Sequence, residues 1–128
     1  MHAYFLLIHT GWSQYWGSEE YFRKFPVLNV DAARYLTSFP LKGIGSDTIS
    51  FDPVDSGDLP VHHILLSKGL ILIENLVNLK SLPKHNFAFS CFPLKIRNGD
   101  GSPVRAVGII TRDKGLGTGD QEQTPESN

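Results

Sequence analysis

The sequence has a single cysteine, Cys91, and a single methionine. One thiol cannot close an internal disulfide, and Cys-rich zinc motifs are excluded. A reducing compartment is the simplest setting for such a chain, and a cytoplasmic protein is expected. No Lys/Arg-rich run occurs, and 12 Lys+Arg against 13 Asp+Glu leave a net charge of -1. Electrostatics therefore gives no reason to expect nucleic acid or an anionic membrane as a partner. Long apolar runs are missing too. Residues 3–8 are too few to span a bilayer and resemble a strand more than a signal-peptide core. Gly43-Ile44-Gly45 lacks the third glycine and the Lys-Ser/Thr of a phosphate loop. Ser50 and Ser102 sit in no nucleophile elbow.

The 128 residues fit one domain, and 41% hydrophobic residues are enough for a small core. A chain this short buries a smaller share of its surface than a full-sized domain and leans more on partners. Residues 2–10 predict a buried strand around the unbroken Phe5-Leu6-Leu7-Ile8. A short helix is expected over residues 19–24, ended by Pro26. Asn29 or Asp31 caps a helix starting near Val30. Residues 41–44 predict a short strand, and residues 46–57 carry loop chemistry.

Asp58 is the expected N-cap of the next helix, with Pro60 in its first turn and Gly69 as its stop. Leu70-Ile71-Leu72-Ile73 predicts another buried strand, and Asn75 the start of a helix carrying Leu76, Leu79 and Leu82. Residues 87–96 and 103–110 predict two strands joined through the Asn98-Gly99 and Asp100-Gly101 turn pairs. Residues 112–128 are Gly-rich and polar, and a disordered tail is expected. Strands alternating with short helices make the class α/β, with a sheet covered on both faces.

The segment with most chemical content runs from Val61-His62-His63 to Ile73-Glu74. Ligands of open α/β sheets gather at the carboxyl ends of strands, where Glu74 falls. A helix, a turn and a strand can fold His62 back beside it, and an imidazole with a carboxylate suits Zn²⁺ or Mn²⁺. Two ligands alone make a weak site, and a His-His pair on a helix also serves purely structural roles. Asp47, Asp52, Asp55 and Asp58 are either a cation cluster or, as loop acids usually are, caps of turns and helices. Cys91 lies in an apolar strand, as a buried and unreactive thiol does. Trp12, Tyr15 and Trp16 suit an aromatic-substrate pocket and a core equally.

The order of these segments resembles the cyclase family of metal-dependent hydrolases, which includes kynurenine formamidases and isatin hydrolases. Gly45-Ser46-Asp47-Thr48-Ile49-Ser50-Phe51-Asp52 is similar to its Gly-x-Asp-x-x-Ser-x-Asp stretch. Glu74-Asn75-Leu76-Val77-Asn78-Leu79 is similar to its Glu-Asn-Leu-x-Asn-Leu element, and His62 with Glu74 resembles its late metal-ligand pair. Thr10-Gly11-Trp12 resembles the turn after a central strand. Pro93-Leu94-Lys95 and residues 101–106 resemble its closing strands.

The resemblance implies a partial swivelling β/β/α domain, the C-terminal half of a cyclase-like hydrolase over residues 1–111. It implies a divalent metal, Zn or Mn, with His62 and Glu74 as this half's ligands, and no catalytic residue is assigned. His63 has no matched role beyond orienting its neighbour. The family's His-x-Gly-Thr-His-x-Asp motif does not occur in the chain, so the metal site is incomplete. His9 stands where relatives often carry Arg.

The chain is therefore expected to be a truncated or short form of an arylformamidase-like hydrolase, weakly active or inactive alone. The full-length form would hydrolyse N-formylkynurenine or another small amide or ester. The alternative is a non-catalytic interaction module, a homo-oligomer or a short isoform pairing with a full-length paralogue.

Overall fold

The computed structural model describes residues 4–110. The tail expected at residues 112–128 lies outside them. Phe5–Ile8 forms strand β1, Gly43–Ser46 forms β2 and Ile71–Ile73 forms β3. The three pair in parallel in the order β1-β2-β3, with Phe5 opposite Gly43 and Gly43 opposite Ile71. Val30–Leu36 (α1) precedes β2, and Pro60–Ser67 (α2) precedes β3. This is the α/β arrangement the alternation predicts.

Side chains alternate between sheet faces, so the register sorts them. Leu6, Ile8, Ile44, Ser46 and Leu72 face the helices. Ile44 packs there with Ala33, Val61, Leu65 and Leu70 in a core that includes Phe51. Phe5, Leu7, Gly43, Gly45, Ile71 and Ile73 share the opposite face. There the two β2 glycines make room for their neighbours. A Cβ on Gly43 would lie 2.7 Å from Phe5 Cε1 and 2.8 Å from the Ile71 carbonyl oxygen. One on Gly45 would lie 2.6 Å from Leu76 Cδ1.

Ala88–Pro93 (β4) and Val104–Ile109 (β5) form the expected antiparallel pair, Cys91 opposite Ala106. It docks through Phe89, whose ring centroid is 5.3 Å from that of Phe5. Between the pair and β1 runs an open groove of about 1420 Å³, lined by Phe5, Leu7, Leu82 and Phe89. Among the described residues the sheet is therefore not covered on both faces as expected. Only β2 is buried along its whole length, and Ile71 is 53% exposed.

Several expected elements move. Strand β2 lies at Gly43–Ser46 rather than 41–44, because its parallel neighbours fix the register. The helix expected at 19–24 is a 3₁₀ turn at Glu19–Phe22. The helix expected from Asn75 does not form. Asn75 is left-handed (φ 59), and a 3₁₀ turn at Leu79–Ser81 is all that follows. Its backbone amide and that of Leu76 are taken by the carbonyls of Thr48 and Ser46, at 2.9 and 3.0 Å. Asn29 caps α1 as expected, accepting from the Ala32 amide at 2.7 Å. Gly69 follows α2 in the left-handed region (φ 74). Among the described residues no helix is long and apolar enough to cross a membrane.

The glycine packing makes a stability prediction. Gly43→Ala should destabilise the chain by about 1–3 kcal/mol, since its new methyl meets a backbone carbonyl that cannot give way. Gly57→Ala, with nothing within 4 Å, should change little. Urea titrations of both variants check the contrast.

Candidate metal half-site at the carboxyl ends of the strands

Parallel pairing brings the three strand ends side by side, with His9 and Thr10 after β1, Asp47 after β2 and Glu74 after β3. Asp47 is fully buried. Its Oδ1 accepts from the Thr10 amide at 2.9 Å and the Thr10 hydroxyl at 2.7 Å, and its Oδ2 accepts from the Gly11 amide at 2.8 Å. Burial works to raise its pKa, but the Thr10 and Gly11 bonds outweigh that, and the carboxyl titrates below the ordinary aspartate range. Exposed His9 places Nε2 4.0 Å from Asp47 Oδ2. Asp47 is thus a turn-forming acid, as loop acids usually are.

The buried Tyr21 hydroxyl donates to Asn75 Oδ1 at 2.8 Å, fixing the left-handed residue directly after Glu74. Trp12 Nε1 donates to the Tyr21 carbonyl at 2.9 Å. Trp12 is therefore a brace of this loop, whereas Trp16 is 63% exposed.

Asp52 does for α2 what Asp58 was expected to do. Leu59, at φ 42, precedes the helix, and Asp58 is exposed. The Asp52 carboxylate accepts from the Val61 amide at 3.0 Å and the His62 amide at 2.9 Å, both in the first turn. Oδ2 also meets His62 Nδ1 at 2.7 Å. Burial works against the charge of Asp52, and the His62 ring and the two amides outweigh it, holding its pKa below the ordinary range. The ring is held by Asp52 and not, as expected, by His63, which is exposed.

On its other side the ring meets Glu74, with Nε2 3.2 Å from Oε1. The two side chains keep 21% and 30% of their surface exposed. Burial raises the Glu74 pKa, and His62 opposes the rise. Metal–ligand bonds of about 2.0–2.2 Å at a tetrahedral angle put two ligand atoms about 3.3–3.6 Å apart, slightly more than the 3.2 Å between Nε2 and Oε1. The observed separation and the N/O donor pair therefore fit a divalent cation. They supply two ligands where a catalytic zinc takes three. Among the described residues no group of three or more His, Cys, Asp or Glu converges on one point. Asp55, like Asp58, is exposed, and the four acids make no cation cluster. Cys91 is half-buried rather than buried as expected, and the burial it has pushes its thiol up.

The buried carboxylates make a pH prediction. A group whose folded pKa is depressed stabilises the fold above the ordinary range, and that stability is lost as pH falls through the folded value. Asp47→Asn should cost about 2 kcal/mol near neutrality, in line with the loss of hydrogen bonds to a charged acceptor. It should also flatten the fall of stability on acidification. Thermal melts from neutral to acid pH check both.

A family model described as "Putative cyclase" matches residues 2–53. The chain is 36% identical over 102 residues to a kynurenine formamidase of Bacillus cereus, covering 80% of this chain and 47% of that protein. Its fold matches an isatin hydrolase bound to the product analogue thioisatinate, with TM-score 0.76 and 29% identity over 84% of this chain and 45% of that one. A predicted metal-dependent hydrolase from Bacillus stearothermophilus matches with TM-score 0.69 and 30% identity, over 84% of this chain and 50% of that one. The chain thus spans about half the length of the relatives it matches. These matches in sequence and fold place the chain in the cyclase family.

Proposed function

We propose that this chain contributes the His62–Glu74 half of a divalent-metal site serving hydrolysis of small amides or esters, of the arylformamidase type. The observation that carries the proposal is the 3.2 Å approach of His62 Nε2 to Glu74 Oε1 at the carboxyl end of β3. The names of the relatives support the substrate class. Hydrolysis of an N-formyl aryl amine adds water to the formyl carbon, breaks the C–N bond and leaves formate and the amine. Zinc or manganese held there supplies Lewis acidity toward water and a carbonyl oxygen.

The chain's own residues have separate tasks. His62 offers Nε2 as a nitrogen donor, held rigid by its bond to Asp52. Glu74 offers a carboxylate oxygen from the end of a strand, and its charge partly offsets that of the cation. Tyr21 and Asn75 fix the backbone turn that aims Glu74. The exposed face of Trp16, in the loop after β1, gives an aromatic substrate a surface to lie on.

The open groove beside β1 favours a second element of this proposal. A full-length paralogue pairing across it would cover apolar surface and bring further ligands to the half-site. The small interface of the paired strands β4 and β5 with the sheet is consistent with this, because a two-stranded ribbon is marginal without a covering layer.

Zinc and manganese content of the size-fractionated chain tests the proposal. Bound metal should be present and should fall to background in both His62→Ala and Glu74→Ala. The 128-residue chain alone should show little turnover of N-formylkynurenine, since two ligands leave the cation loosely held. Equal metal content in the chain and both variants would remove the assignment. Vigorous metal-dependent turnover by the chain alone would remove the incomplete-site part of it.

A further inference from the structure

His62 is flanked by two carboxylates, one at each ring nitrogen. Asp52 Oδ2 lies 2.7 Å from Nδ1, and Glu74 Oε1 lies 3.2 Å from Nε2. A neutral imidazole carries one N–H, so the two acids compete for it. The nitrogen that loses it keeps a lone pair, and only a lone pair binds a cation.

The two competitors are not equivalent. Asp52 is 1% exposed, and both its oxygens are fixed by amides of α2, the Val61 N–H at 3.0 Å and the His62 N–H at 2.9 Å. It is an immobile acceptor at the shorter distance. Glu74 is 30% exposed and reaches His62 at the longer distance. The helix that carries His62 is also the helix whose first turn Asp52 caps, so ring and acceptor form one rigid unit.

From this geometry we infer that Asp52 is a positioning residue that draws the His62 proton to Nδ1 and leaves the Nε2 lone pair facing Glu74. The helix cap and the ring orientation are set by one carboxylate. The role rests on the proposed use of His62 as a ligand only for its purpose. The tautomer itself is a property of the metal-free chain. A carboxylate behind a ligating histidine raises the basicity of the ligating nitrogen and typically changes metal affinity 10–100-fold.

The test is nitrogen NMR of the His62 ring in the metal-free 128-residue chain, in mildly alkaline buffer. The expected result is a protonated Nδ1 and a bare Nε2. A ring protonated at Nε2, alone or together with Nδ1, overturns the inference. The same spectrum of Asp52→Ala should show the proton moved to Nε2, where Glu74 accepts it, and zinc binding by calorimetry should weaken 10–100-fold. An unchanged tautomer and an affinity within twofold of the parent would overturn it as well. Should Asp52→Ala fail to fold for want of its helix cap, the parent spectrum still decides. Should the parent bind no zinc, the metal-site proposal falls, while the tautomer measurement still stands or fails by itself.

Discussion

The Asp52 carboxylate is the interaction on which the site depends. It takes the amides of Val61 and His62 and the Nδ1 of the His62 ring onto two oxygens, in a position almost closed to water. A buried carboxylate without partners would cost several kcal/mol in lost hydration. With these partners it fixes the start of α2 and the plane of the imidazole together. Asp47 repeats the device at the neighbouring strand end, where it gathers Thr10 and Gly11 into the turn after β1. Two acids that follow β2 closely thus shape the loops on both sides of the same strand end.

Strand β2 holds both acids in place. Its four residues are buried because β1 and β3 pair with its two edges and the helices cover one face. The glycines at 43 and 45 let Phe5 and Leu76 cross the other face closely, and Leu76 follows Glu74 by two residues. Packing over β2 therefore determines where the chain turns after β3. Asn75 makes that turn in the left-handed region, anchored by Tyr21 at its side chain and by Thr48 at its amide. The carboxylate of Glu74 is aimed by contacts on either side of it in the chain.

The uncovered half of the structure has a different character. Its groove is lined by Phe5, Leu7, Leu82 and Phe89, and Ile71 and Ile109 remain more than half exposed. Apolar surface of this extent is normally met by another layer of protein. It lies on the sheet face away from α1 and α2, in a chain that matches only about half the length of its relatives.

Much of this was legible in the sequence. Apolar runs located β1 and β3, the Asn29 cap located α1, Gly69 ended α2, and the turn pairs near residue 99 placed the β4–β5 ribbon. These follow from local chemistry, which the sequence carries within a few residues. The pairing of His62 with Glu74 came from motif order and spacing, and family membership from the same source.

What only the tertiary structure decided involves partners distant in sequence. Asp52 rather than Asp58 caps α2, because the loop returns the earlier acid to the helix end. Asn75 starts no helix, because its left-handed backbone, held by the bonds of its amide to Thr48 and of the Leu76 amide to Ser46, turns the chain off a helical path. Among the described residues the sheet's second face stays open, because coverage depends on what packs there and not on how apolar the strands are. The sequence by itself located most of the elements and pointed to His62 and Glu74 as a facing pair. The tertiary structure alone decided which carboxylate holds which nitrogen, because hydrogen bonds between residues ten and twelve positions apart exist only once the sheet has brought the strand ends together.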